Sequence, residues 1–230
     1  MKLRTRITGQ DLRNHLRYFG WVYVLIVALS FGLWNMVYTQ TAYRPPQDKR
    51  IDVYIQSSSA DQEMVNAYLL PIWQAAVPEE ELVQAVLMMG SGGENDYYAN
   101  IQLMTYIAAA EGDIYMLSTA DFKRLAAQGA FVSLDEVIRQ GKIQVQELSL
   151  ASGQVQMVES NPEGELAPVG GVEQYGIPAR ELYRFATELA IDNRDMVLAV
   201  AANSGNEEDT ITFLNALIQH SRAPVPDFFK

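Results

Sequence analysis

The chain has 230 residues, about half of them hydrophobic, enough for one packed domain plus an anchor and against general disorder. Its net charge of −11 is unevenly divided: residues 1–50 hold eight Lys and Arg against two acids (+6), residues 51–230 nine against 26 (−17). So acidic a domain excludes nucleic acid as a partner, because phosphates demand a basic face, and the absence of cysteine excludes disulfides, thiolate metal sites, cysteine nucleophiles and a lipid-modified cysteine anchor.

Residues 1–18 are basic, with Lys2, Arg4, Arg6, Arg13 and Arg17 against Asp11, and Thr8 with Asp11 is spaced to cap a helix. Phe19 to Tyr38 then runs without a charge for 20 residues. At about 1.5 Å per residue that covers roughly 30 Å, the thickness of a bilayer core. Trp21 and Tyr23 at one end and Trp34 and Tyr38 at the other suit the two interfaces. The run exceeds the apolar region of a signal peptide, and Gln40 before Ala42 spoils a small-x-small cleavage site. Residues 19–39 are therefore expected to form an uncleaved transmembrane helix. The basic flank at 1–18 places the amino end in the cytoplasm and the acidic domain outside. Within the helix, Ser30, Gly32 and Asn35 are small or polar residues that favour packing against another membrane helix.

Residues 40–50 contain Pro45-Pro46 and read as a stiff linker. The domain at 51–230 opens on an alternating strand, Ile51 to Ile55, with Ser57-Ser58-Ser59 as turn and cap. Asp61 to Ala76 reads as a helix with Met64, Ala67, Tyr68, Ile72 and Ala75 on one side and Pro71 inside it. Leu82 to Met89 is a second strand, 90–96 a glycine-rich turn, and Tyr97 to Ala110 a second helix. Asp113 to Leu117 is a third strand. Ser118 to Asp121 caps the helix carrying Phe122, Leu125 and Ala126, and Gly129 ends it. Ser133 and Glu136 have the spacing of a capping box for one more short helix. Between 142 and 172 the pattern weakens to short alternating runs at Val145 to Leu150 and Val155 to Val158, read as two short strands or a long excursion that stays small in bulk at one edge of the lobe. Leu182 to Ile191 is helical, Met196 to Ala201 a strand, and Thr210 to His220 an amphipathic helix. Strands alternating with helices imply a three-layer α/β domain with a mainly parallel sheet.

The run Asp113-Ile114-Tyr115, followed by Gly129-Ala130-Phe131 and Leu134-Asp135, resembles the first lobe of type 2 extracellular solute-binding proteins of ABC importers, especially the carbohydrate-binding ones. Tyr175-Gly176-Ile177-Pro178 resembles that family's hinge strand. The segment from Met196 through Asn203-Ser204-Gly205-Asn206-Glu207-Glu208 into the last helix resembles its return to one lobe. The resemblance implies a periplasmic-binding-protein-like fold and a sugar or peptide as ligand class. Between Ile138 and Tyr175 there is too little chain for a second lobe, so the resemblance implies a reduced, essentially single-lobed version carried on a transmembrane helix.

Little in the chain supports catalysis. His15 and His220 lie in separate segments, no G-x-S-x-G elbow is present, and the glycine-rich turn lacks the Lys-Ser/Thr ending of a phosphate loop. His220, near the end of the last helix, suits the dipole there as a cation. No enzyme activity, cofactor or metal site is expected. Open α/β sheets bind ligands outside the carboxyl ends of their strands. That selects Ser57, Ser58 and Ser59, then Asn95, Asp96 and Tyr97, then Ser118, Thr119 and Asp121, with Tyr175 bordering the same edge. The same side chains also serve simply as helix caps. Two functions fit this pattern. The first is a non-catalytic, membrane-anchored extracytoplasmic module acting as accessory or scaffold subunit of a membrane complex through protein contacts. The alternative is a tethered receptor delivering a sugar or peptide to an ABC importer.

Overall fold

The computed structural model describes residues 9–41, 45–88, 90, 97–160 and 165–222, and the chain divides into two compact units that part after Arg44. The first unit is helix α1, Gly9–Thr41. It starts well before the predicted span, because Arg13 to Arg17 propagate a helix well and no proline intervenes. Its stretch His15–Tyr38 is long and apolar enough to cross a membrane, and its apolar side chains point outward rather than into a core. Near the start of that stretch the His15 ring nitrogen and the Tyr23 hydroxyl, two turns apart, are hydrogen-bonded at 2.7 Å. The predicted cap at Thr8 lies outside the described residues.

The second unit begins with a 3-10 turn at Gln47–Lys49 and strand β1, Arg50–Gln56. Then come α2 (Gln62–Ala76), β2 (Leu82–Met88), α3 (Tyr97–Ala108), β3 (Ile114–Ser118), α4 (Thr119–Ala127) and α5 (Asp135–Arg139). The chain continues through β4 (Gln154–Ser160), β5 (Leu166–Gln174), β6 (Gly176–Pro178), α6 (Tyr183–Leu189), β7 (Met196–Val200) and α7 (Glu207–Arg222).

Five strands form one sheet in the order β2-β1-β3-β7-β6. β1 pairs in parallel with β2 and β3, while β7 is antiparallel to both of its neighbours. All but β7 run one way, so the expected mainly parallel sheet is present and holds the four predicted strands. Alternation along each strand sends side chains to two covered faces. Ile51, Val53, Ile55, Ile114, Met116, Leu198 and Val200 face a core closed by α2, α6 and α7. Tyr115, Leu117, Val197 and Ala199 face a second core closed by α3 and α4. The result is the expected three-layer arrangement. Each fully buried side chain such as Leu69, Phe122 or Phe213 contributes on the order of 1.5–3 kcal/mol.

Several local expectations change. In α2 the inward stripe is Val65, Tyr68, Leu69 and Ile72, while Met64 and the two alanines face solvent. The i, i+3, i+4, i+7 spacing of that set presents one continuous face. The cap of α2 is Asp61, accepting from the Met64 amide at 3.0 Å, and not a residue of the serine turn. Ser133 forms no capping box: Leu134 occupies the cap position of α5, and its amide donates to the Gln174 carbonyl at 2.6 Å. The excursion is a two-stranded antiparallel hairpin, β4–β5, separate from the main sheet and bulged between Gln156 and Met157. His220 is not a favourable cation at a helix end. Burial and the nearby Arg184 guanidinium push its pKa below the usual histidine value.

Candidate functional site

A polar depression of about 560 Å³ opens at the carboxyl ends of β1, β2 and β3. Gln56 and the Ser57–Ser59 turn, Gly90, Ser118, Asp192, Arg194, Asp195 and Met196 line it. Because β7 runs opposite to β3, its starting end arrives at this edge and brings the 192–195 turn with it.

Several polar groups in the floor have local work. Ser57 Oγ accepts from the amides of Ser59 (3.3 Å) and Ala60 (3.2 Å), closing the turn after β1. Ser59 Oγ donates to the Ala190 carbonyl at 2.7 Å, joining this turn to the end of α6. The Gln56 side chain bridges two strands: its Nε2 donates to Asp121 (3.1 Å) and its Oε1 accepts from the Ser118 amide (2.9 Å). Ser118 caps α4 by accepting from the Asp121 amide at 3.2 Å. The Thr119 amide and hydroxyl donate to the Asp195 carbonyl at 2.9 and 3.3 Å.

Burial favours the neutral form of Asp121, but hydrogen bonds from Arg124, Gln56 and Ser118 outweigh it and hold its pKa below the ordinary carboxylate value. Arg124 also reaches Asn100 at 3.0 Å, so α3 is tied to the floor through one guanidinium. On the rim, Arg194 grips Asp192 through two nitrogens at 2.8 and 2.5 Å, which lowers the Asp192 pKa to about 2.

The structure gathers Ser57, Ser58, Ser59 and Ser118 around one depression, with Asp121 just beneath and Thr119 beside it. Tyr97 lies on the neighbouring start of α3, 70% exposed, and Asn95 and Asp96 fall outside the described residues. Tyr175 does not border the open edge. Only 5% exposed, it packs in the core with Phe122 and Val155, its hydroxyl 3.4 Å from Glu173. In α1, Gly32 and Asn35 stand three residues apart and share a face, whereas Ser30 lies on another. Sequence reasoning passed over Gln56, Asp192, Arg194 and Asp195. The polar run before β7 was a visible signal, but the strand's reversed direction was needed to bring it here.

No protein-family model and no curated protein matches the chain. Among solved structures it is similar to an extracellular solute-binding protein family 1 member from Alicyclobacillus acidocaldarius, at 16% identity and a TM-score of 0.38, over 59% of this chain and 29% of that one. It is also similar to an ABC substrate-binding protein from Listeria monocytogenes in complex with cycloalternan, at 19% identity and a TM-score of 0.35, over 55% and 28%. A third similarity is to thiaminase I from Bacillus thiaminolyticus, at 16% identity and a TM-score of 0.28, over 56% and 28%. The chain thus spans about three-tenths of the length of the structures it matches. The fold is a mixed α/β domain with a mainly parallel central sheet, preceded by an apolar amino-terminal helix.

Proposed function

We propose that this chain is a non-catalytic, membrane-anchored module of solute-binding-lobe type that works through protein contacts as an accessory or scaffold subunit of a membrane complex. In this reading residues 1–18 are cytoplasmic, 19–39 cross the membrane, 40–50 are linker, and 51–230 form the extracytoplasmic domain. The carrying observation is the contrast at the carboxyl-end edge. Gln56, Ser57, Ser59, Ser118 and Asp121 are engaged with one another and with backbone, which reduces the convergent hydrogen-bonding capacity left for a small solute. Beside them α3 carries no charged residue in a strongly acidic domain and exposes Tyr97, Tyr98, Ile101 and Met104. Tyrosines on a rigid element are strong anchors in protein interfaces.

The second reading, a tethered receptor handing a sugar or peptide to an ABC importer, draws on the depression itself. At about 560 Å³ it falls in the range of small-ligand sites. The two readings separate in one experiment on the full chain in detergent. The double variant Tyr97→Ala, Tyr98→Ala is expected to lose membrane partners in a pull-down, while calorimetry with sugars and short peptides gives no heat of binding. Undiminished recovery together with tight sugar or peptide binding would establish the receptor instead.

A further inference from the structure

At the opposite edge of the sheet, where β1, β2 and β3 begin, four segments are fastened around one buried acid. They are the 3-10 turn Gln47–Lys49, the loop 77–81 after α2, the turn 201–206 after β7, and the first turn of α7. The Glu81 amide donates to the Lys49 carbonyl at 2.8 Å. Asn206 Nδ2 donates to the Asp48 carbonyl (3.4 Å), to Asp209 Oδ2 (3.1 Å) and to Glu80 Oε1. One amide thus serves two carboxylates and the outgoing chain.

Glu80 is only 4% exposed, and its backbone is fixed from both sides: its amide donates to Val77 at 3.1 Å and its carbonyl accepts from Trp73 Nε1 at 3.2 Å. No donor among the described residues reaches its buried second oxygen, Oε2, and the carboxyl group lies against that of Asp209, with which it can bond only when protonated. Such an atom is costly as half of a carboxylate and far cheaper as part of a neutral acid. The charges facing it are Asp209 from α7, Asp113 just before β3 and Lys49 from the 3-10 turn. Burial first and Asp209 next push its pKa up to about 7, against the pull of Lys49.

We propose that Glu80 is a proton-operated latch: as the neutral acid it fastens the segment leading out of the domain, Gln47–Lys49, to the first turn of α7, and as the carboxylate it releases them. Loss of the proton to water leaves two carboxylates, Glu80 and Asp209, about a single amide, with one charge buried and incompletely paired. Opening returns Glu80 to solvent and to its ordinary acidity. The folded pKa is raised, so the closed form holds the proton more tightly. Closure is therefore fully favoured below about pH 4.5 and weakens as pH rises through about 7. The latch lies at the far edge from the polar depression and stands whether that edge meets protein or solute.

The test is amide hydrogen exchange of the full chain in detergent, corrected for intrinsic exchange, read at Lys49 and Glu81. Between pH 5.5 and pH 8 protection of these two amides is expected to fall on the order of tenfold, while β3 and β7 keep theirs. Glu80→Gln, a permanently neutral analogue, should hold at pH 8 the protection that the native chain has at pH 5.5. Asp209→Asn, which removes the facing charge, should move the midpoint to lower pH, and it serves if Glu80→Gln does not fold. A native chain with no change between the two pH values would overturn the latch. So would Glu80→Gln with the native loss, or Asp209→Asn with an unmoved midpoint.

Discussion

Gly153 and Gly176 mark a place where two backbones meet closely under the hairpin. A Cβ at Gly153 would strike the Gly176 carbonyl, and one at Gly176 would strike Val197, Phe122 and the Leu198 carbonyl. Neither glycine is needed for a positive φ, so the demand is for space alone. Gly153→Ala and Gly176→Ala are each expected to destabilise the domain by about 1–3 kcal/mol, read as a lower urea midpoint with an unchanged slope. An alanine at Gly170, where a Cβ would meet nothing within 4 Å but φ is +68°, carries only the backbone penalty and is the control. Single residues were legible where their job is local. Ser118 as a cap follows from a hydroxyl placed between a strand and a helix. Gln56 was not legible, because its bond to the Ser118 amide joins positions 62 apart in sequence. Tyr175 misled for the same reason: its neighbours in the core, Phe122 and Val155, are set by the fold and not by the residues beside it.

At the scale of elements, helix starts and strand cores read well because capping and periodicity are properties of short segments. Asp61→Ala should therefore cost about 1 kcal/mol, the usual worth of an N-cap, measured as a fall in thermal midpoint. Met64→Ala on the outer face of α2 should cost little, although its hydrophobicity suggests a core position. What periodicity lacks is direction. Nothing in Met196-Val197-Leu198-Ala199-Val200 states that the strand runs against β3, yet that reversal delivers the 192–195 turn to the candidate site. The capping box at Ser133 fails on the same ground. The spacing is right, but the helix starts one residue later, with Leu134 at the cap position and its amide bonded to the Gln174 carbonyl 40 residues on. The hairpin β4–β5 was faint because a separate two-stranded ribbon has little interior. Most of its side chains are exposed, so few alternating apolar positions mark it.

For the whole molecule, the split in charge and hydropathy at the linker was the plainest signal, and it coincides with the division into two units. The apolar helix α1, long enough to cross a membrane, then raises the question of whether it also meets another helix there. In lipid, helices associate by close packing of small residues and by polar contacts rather than by hydrophobic burial. Gly32 and Asn35 share a face of α1, and a Cβ built at Gly32 meets nothing within 4 Å, so that face admits a close neighbour. Ser30 points elsewhere on the helix. If α1 docks against another membrane helix through this face, Gly32→Leu and Asn35→Leu remove the close approach and the polar contact, whereas Ser30→Leu touches only lipid. Recovery of membrane partners by the full chain is expected to fall about threefold for each of the first two variants, the equivalent of ~0.6 kcal/mol, and to stay unchanged for the third. Equal recovery from all three would make α1 a plain anchor. A loss in Ser30→Leu alone would place the contact on the other face.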